Sequence, residues 1–120
     1  MKMVRSSWNL NCLIFIVFLG PDSNDHLQYA VLPLTTNEEC QKIYSEVKPG
    51  MAFDSVICTK VAGGKDTCHG DSGGPLVVPD ESNRAVITGI TSWGHSCGKY
   101  PGVYTRVTSY LDWINSVMSQ

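Results

Sequence analysis

Apolar and polar positions alternate along this chain in short runs, broken by turn residues such as Pro49-Gly50 and Pro79-Asp80-Glu81-Ser82-Asn83. Such spacing predicts short β-strands joined by tight turns. Tyr29 to Leu34 reads as a strand, with Pro33 marking its end because proline cannot donate to a ladder. Thr36 or Asn37 can cap a short helix over Glu38 to Tyr44, and Pro49-Gly50 is a turn. Strand-like runs follow at Val56 to Cys58, Pro75 to Val78, Ala85 to Trp93 and Gly102 to Val107, with a polar turn over Pro79 to Asn83. The last segment changes period. Val107, Tyr110, Leu111, Ile114, Val117 and Met118 recur at helical spacing, and Ser109 with Asp112 forms a capping-box pattern. The expectation is an all-β domain with a C-terminal α-helix and no internal repeat.

Residues 1–19 stand apart from this pattern. Lys2 and Arg5 precede an apolar run from Cys12 to Leu19, too short for a bilayer span of ~20 residues. A charged start and a short apolar core suit a secretory signal peptide, although no Ala-x-Ala cleavage context follows. Leu13 to Leu19 is equally rich in strand-forming residues. The third reading is coding sequence foreign to the remainder. The chain thus divides into a signal-like or non-homologous segment, 1–19, and a folded part, 20–120.

A length of 120 residues suits one small domain, and 42% hydrophobic with 17% charged residues is a globular composition. The net charge of −2 gives no electrostatic footprint for nucleic acid. Five cysteines in so short a chain point to an oxidising compartment. Spacing alone assigns no pairs; any four cysteines allow three connectivities.

The densest chemistry lies in Asp66-Thr67-Cys68-His69-Gly70-Asp71-Ser72-Gly73-Gly74-Pro75. A serine hydroxyl is a weak nucleophile unless a base takes its proton and donors stabilise the oxyanion. Glycines on both sides let the backbone fold sharply and aim N–H groups at that oxyanion. Gly70-x-Ser72-x-Gly74 also fits the elbow of α/β-hydrolases, but that elbow needs a following helix, and Pro75 to Val78 reads as a strand.

The run resembles the Gly-Asp-Ser-Gly-Gly-Pro signature of the trypsin-like, chymotrypsin-fold serine proteases. The resemblance extends from about Leu27 to Ile114 through Cys58, Gly63-Gly64-Lys65, Ser92-Trp93-Gly94, Cys97, Pro101 to Val107, Tyr110 and Trp113-Ile114. It covers only the second half of such a protease, and so implies an incomplete C-terminal β-barrel of the two-barrel fold. It implies disulfides Cys40–Cys58 and Cys68–Cys97, which leave Cys12 over. It makes Ser72 the nucleophile, with oxyanion donors at the N–H groups of Gly70 and Ser72. Asp66 becomes the counter-charge for a substrate Arg or Lys, with Gly94 and Gly102 leaving room for a long side chain. Thr67 and Tyr104 would line that pocket, while Ser92 and Trp93 would flank an extended peptide. Asp71 would be buried; its matching acid in the family pairs with an N-terminal ammonium freed by cleavage. No activation site of the Arg-Ile-Val-Gly-Gly type occurs in these residues.

The resemblance also says what to doubt. The family's catalytic histidine and aspartate come from its first barrel, and no Thr-Ala-Ala-His-Cys type motif occurs here. His26 lies in a polar stretch, and His69 and His95 match variable positions at the cleft rim. The chain is expected to be inactive alone. Its partners would be Arg- or Lys-bearing peptides and proteins, including macromolecular protease inhibitors. The second reading is a non-catalytic module binding basic peptides or protein partners. No metal, cofactor or membrane span is expected, and Pro101 argues against sodium activation. The expected location is extracellular.

Overall fold

The structure is a computed structural model that describes residues 15–18, 28–61 and 63–120, with residues 15–18 and 28 described through their backbone only. In chain order the elements are β1 (Phe15–Phe18), β2 (Gln28–Val31), β3 (Leu34–Thr35), α1 (Asn37–Tyr44), β4 (Val56–Thr59), β5 (Pro75–Pro79), β6 (Ala85–Trp93), β7 (Val103–Arg106), a 3₁₀ turn (Val107–Tyr110) and α2 (Leu111–Met118). Among the described residues all the strand pairs are antiparallel, in one seven-stranded sheet of order β2-β1-β5-β6-β7-β4-β3.

That order shapes the molecule. β2 and β3 sit on opposite edges of the sheet, yet only Leu32 and Pro33 separate them in the chain. A flat seven-stranded sheet would hold its edges tens of ångströms apart at ~4.8 Å per strand. The sheet must therefore curl until a two-residue corner joins its edges, a partial barrel with no ladder between β2 and β3. The single strand expected over Tyr29 to Leu34 is broken at this corner. Pro33 brings no N–H, and its carbonyl accepts from Lys60 N–H at 2.7 Å. Leu32 turns fully inward and packs with Ile57, Leu76 and Tyr104. Gly89, on β6, lets β5 and β7 close over it: a Cβ there would stand 3.0 Å from Leu76 Cδ2 and 3.1 Å from Tyr104 Cβ.

The segment 1–19 is described only at Phe15–Phe18, where the backbone runs as β1 between β2 and β5 (Phe15 opposite Val31 and Val77). Lys2, Arg5, Cys12 and His26 lie outside the described residues.

α1 begins as its sequence predicts, with the Thr36 hydroxyl accepting from Glu39 N–H at 3.1 Å. Its inward face carries Cys40 and Tyr44, one helical turn apart, which join Phe53, Cys58 and Val103 in a second buried cluster. The C-terminal helix starts later than the sequence pattern implies. Val107 to Tyr110 form the 3₁₀ turn, and the residue preceding α2, Tyr110, offers no side-chain cap, so the Ser109–Asp112 capping box does not form. No residue of α2 is buried, and Trp113 is 66% exposed. Among the described residues no helix is long and apolar enough to cross a membrane.

Candidate active site

Two consecutive turns build the serine segment. Asp71 N–H donates to Cys68 O at 3.0 Å and Gly74 N–H to Asp71 O at 2.9 Å. Gly70 and Gly73 take φ of +98° and +84°, left-handed values that only glycine adopts at little cost. Gly73 N–H donates to Thr91 O and Thr91 N–H to Gly74 O, both at 2.9 Å, so the segment is pinned to β6. The outcome is a sharp division of neighbours. Asp71 is buried at 4% exposure with Oδ2 accepting from Cys68 N–H at 2.8 Å, while Ser72 faces solvent. Among the described residues, the Gly70 and Ser72 amides donate to no acceptor, and Ser72 Oγ makes no hydrogen bond.

Ser72 opens onto a cleft of about 280 Å³ whose lining includes Asp66, Thr67, Ser92, Trp93 and Gly94. Five residues expected at a substrate pocket are thus brought together with the serine. Gly102 and Tyr104 stand behind Asp66 rather than on the cleft surface, both buried. Tyr104 Oη lies 3.0 Å from Thr67 Oγ1, and burial pushes its phenol up to about 12, so it stays protonated.

Asp66 is the cleft's electrostatic centre. Its Oδ2 accepts from Gly98 N–H at 3.0 Å, whereas Oδ1 is buried and takes no well-formed hydrogen bond. Burial raises the carboxyl above its ordinary range, against the lowering effect of the Gly98 N–H and of the Thr67 amide and hydroxyl beside it. Oδ1 thus carries lone pairs that no well-formed hydrogen bond within the described residues satisfies.

Two disulfides hold the walls. Cys68–Cys97 spans the cleft with Cα atoms 5.5 Å apart, and Cys40–Cys58 ties α1 to β4 at 6.3 Å. Cys68, Cys97 and His69 offer ligand atoms within 4.8 Å of one another, but both sulfurs are bonded to each other, which removes the thiolates a metal would need.

Tyr44 escaped the sequence reading as a site residue. From α1 its hydroxyl donates to Pro101 O and accepts from His95 N–H at 3.2 Å, and its ring packs 4.9 Å from Trp93 and 5.8 Å from Tyr100. One buried phenol, also raised to about 12 chiefly by burial, thereby fixes the loop that carries the cleft's far wall. The only signal was its place four residues after Cys40, on the helix face that the disulfide turns inward.

Within that loop Ser96 takes φ of +53°, a left-handed conformation that Cβ disfavours. Ser96→Gly should raise stability by about 0.5–1 kcal/mol, after glycine's larger unfolded-state entropy is set against the relieved strain. Urea unfolding midpoints of the two chains check this.

A curled antiparallel partial barrel and a serine flanked by left-handed glycines on a cleft that Asp66 also lines belong to the trypsin-like serine protease family. The family model described as Trypsin matches residues 17–114, and the chain belongs to the trypsin family. It is 50% identical over 98 residues to a venom protease of Bombus pensylvanicus, covering 79% of this chain and 37% of that protein. It is 44% identical over 100 residues to Trypsin-1 of Astacus astacus (81% and 40%), and 40% identical over 103 residues to a trypsin of Squalus acanthias (83% and 41%). The chain therefore spans 37–41% of the length of these relatives.

Proposed function

We propose that this chain carries the nucleophile and the substrate cleft of a secreted serine endopeptidase that acts after Arg or Lys. Asp66 carries the specificity: its carboxylate, whose Oδ1 takes no well-formed hydrogen bond among the described residues, belongs to the lining of the cleft that Ser72 borders. In the complete reaction Ser72 Oγ attacks the carbonyl of the basic residue. The N–H groups of Gly70 and Ser72 receive the oxyanion, and water then releases the acyl group. The two disulfides and the venom proteases among the relatives support an extracellular setting.

We also propose that the 120-residue chain binds such substrates without turning them over. A triad needs a histidine on the serine hydroxyl and an acid on the histidine. Ser72 Oγ is bonded to neither His69 nor His95. With neither described histidine on the serine, the remaining donors and binding contacts give about 10³–10⁴ over water, some 10⁶ below a full triad. A module that binds basic peptides or protein inhibitors presenting Arg or Lys is the second reading, favoured by the same unbonded hydroxyl.

The test is titration of the chain with Nα-acetyl-arginine amide and Nα-acetyl-lysine amide, alongside an arginine ester assay. Binding that Asp66→Asn abolishes, with no ester turnover, is the expected result. Ester turnover lost in Ser72→Ala would overturn the inactive reading; binding indifferent to Asp66→Asn would overturn the pocket. The pH dependence has a fixed sign. Because burial raises Asp66 in the folded chain, cation binding falls as pH drops, starting above the usual aspartate range. Stability responds in the opposite direction. Between the unfolded and the raised folded value the native state binds more protons, so Asp66's contribution to stability worsens as pH rises through that window. Asp66→Asn should remove both slopes.

A further inference from the structure

Cys68, His69 and Cys97 are all exposed, and their sulfur and ring-nitrogen atoms lie within 4.8 Å of one another. Among the described residues they are the only group of three potential metal ligands brought so close. All three line the cleft together with Ser72. While the bridge is closed, the two sulfurs are spent on each other. Reduction frees them. A dithiol that attacks the bridge gives up two electrons and two protons and leaves as a cyclic disulfide. The S–S bond breaks, and each sulfur takes a proton. Access decides which bridge opens first: Cys68 and Cys97 are exposed, whereas Cys40 and Cys58 are wholly buried.

The freed thiols stay together because their backbones are tied by other bonds. Cys68 N–H donates to Asp71 Oδ2 at 2.8 Å, and its carbonyl accepts from Asp71 N–H at 3.0 Å. Cys97 lies inside the turn that Lys99 N–H closes on Ser96 O at 2.9 Å. The two segments are also joined directly. Gly98 N–H donates to Asp66 Oδ2 at 3.0 Å, and Gly98 packs so tightly that a Cβ would stand 2.8 Å from Gly64 O. A tetrahedral zinc with Zn–S bonds of about 2.3 Å holds two sulfurs about 3.8 Å apart. Cα atoms 5.5 Å apart allow that by rotation about the Cα–Cβ bonds. We propose that reduction of Cys68–Cys97 turns the cleft rim into a zinc site, with the two thiolates and the His69 imidazole as ligands. Both thiol protons leave as the metal enters. Two thiolates with an imidazole are a donor set that suits zinc, and three protein ligands leave a fourth position for water. The site owes nothing to the reading of Asp66 as a seat for a basic side chain.

The experiment uses the full chain carrying Cys12→Ser, which removes the fifth thiol. It is compared oxidised and after brief treatment with a water-soluble phosphine, which opens the bridge and becomes the phosphine oxide by taking oxygen from water. Alkylation with iodoacetamide should then label Cys68 and Cys97 and spare Cys40 and Cys58. Co²⁺ is the probe. One equivalent should give a thiolate-to-cobalt charge-transfer band in the reduced chain and none in the oxidised chain, and Zn²⁺ should displace it. His69→Ala should weaken Co²⁺ binding by at least about tenfold, since even an outer-shell partner is worth 10–100-fold. His69 is exposed, so its loss leaves the fold in place. The Cys68→Ser, Cys97→Ser chain should show no band. A reduced chain without the band, or a band whose affinity is untouched by His69→Ala, overturns the site. Labelling of Cys40 and Cys58 ahead of the exposed pair overturns the redox gate.

Discussion

Gly102→Val is expected to abolish binding of arginine and lysine amides and to lower stability by about 1–3 kcal/mol, the range for overpacking a filled interior. The first added carbon already decides this. A Cβ on Gly102 would lie 2.7 Å from Asp66 Oδ1, 3.0 Å from Thr59 Oγ1 and 3.1 Å from Tyr104 Oη. None of the three can retreat easily. Tyr104 is fully buried and engaged with Thr67, Thr59 is 1% exposed, and Asp66 is held through Oδ2 by Gly98. The added carbons would therefore push the Asp66 carboxylate out of its place from behind and surround it with hydrocarbon, worsening its desolvation and misplacing it for a cationic ligand. Gly94→Ala supplies the contrast. Its Cβ would meet only Pro101 O at 3.8 Å and Tyr44 Oη at 4.0 Å, ordinary contacts, so stability should change by less than about 0.5 kcal/mol. Urea unfolding and amide titration of the two variants separate the cases. Full-affinity binding by Gly102→Val would mean the basic side chain does not reach Asp66.

What the sequence disclosed, and what it withheld, divides along physical lines. The strands were legible because each has its own apolar run and its own turn residues, as in Ala85 to Trp93 after the Pro79 to Asn83 turn. The Ser72 segment was legible because left-handed positions demand glycine, and Gly70 and Gly73 supply it. The disulfides followed from the family pattern alone. The curl of the sheet was not legible, since Leu32 and Pro33 look like the end of one strand and say nothing of a partner at the opposite edge. Tyr44 was hidden for a similar reason. Its role arises from partners 51 and 57 residues away, at His95 and Pro101, and local pattern carries no trace of such contacts. At α2, Ser109 and Asp112 have the right identities for a cap, but the 3₁₀ turn places Tyr110 where the capping residue should be.

The two disulfides should differ in a way that loop length alone predicts wrongly. Cys40–Cys58 closes a separation of 18 residues and Cys68–Cys97 one of 29. Chain entropy then favours the second bridge slightly, at about 3.6 against 3.2 kcal/mol. Burial reverses the ranking. Cys40 and Cys58 are wholly buried in the cluster with Tyr44, Phe53 and Val103, so replacing both by alanine also leaves a void where two sulfur atoms were packed. Cys68 and Cys97 are exposed, and the Gly98 N–H bond to Asp66 still joins the cleft walls when their bridge is gone. The Cys40→Ala, Cys58→Ala chain should therefore lose about 4–5 kcal/mol, most of the stability of a domain this small. The Cys68→Ser, Cys97→Ser chain should lose about 3 kcal/mol, fold under mild conditions, and bind arginine amide more weakly because its cleft walls are less constrained. Urea unfolding of both double variants, with amide titration of the second, measures each difference. Equal losses, or a larger loss from the exposed bridge, would mean that the α1–β4 cluster is not the anchor of the fold.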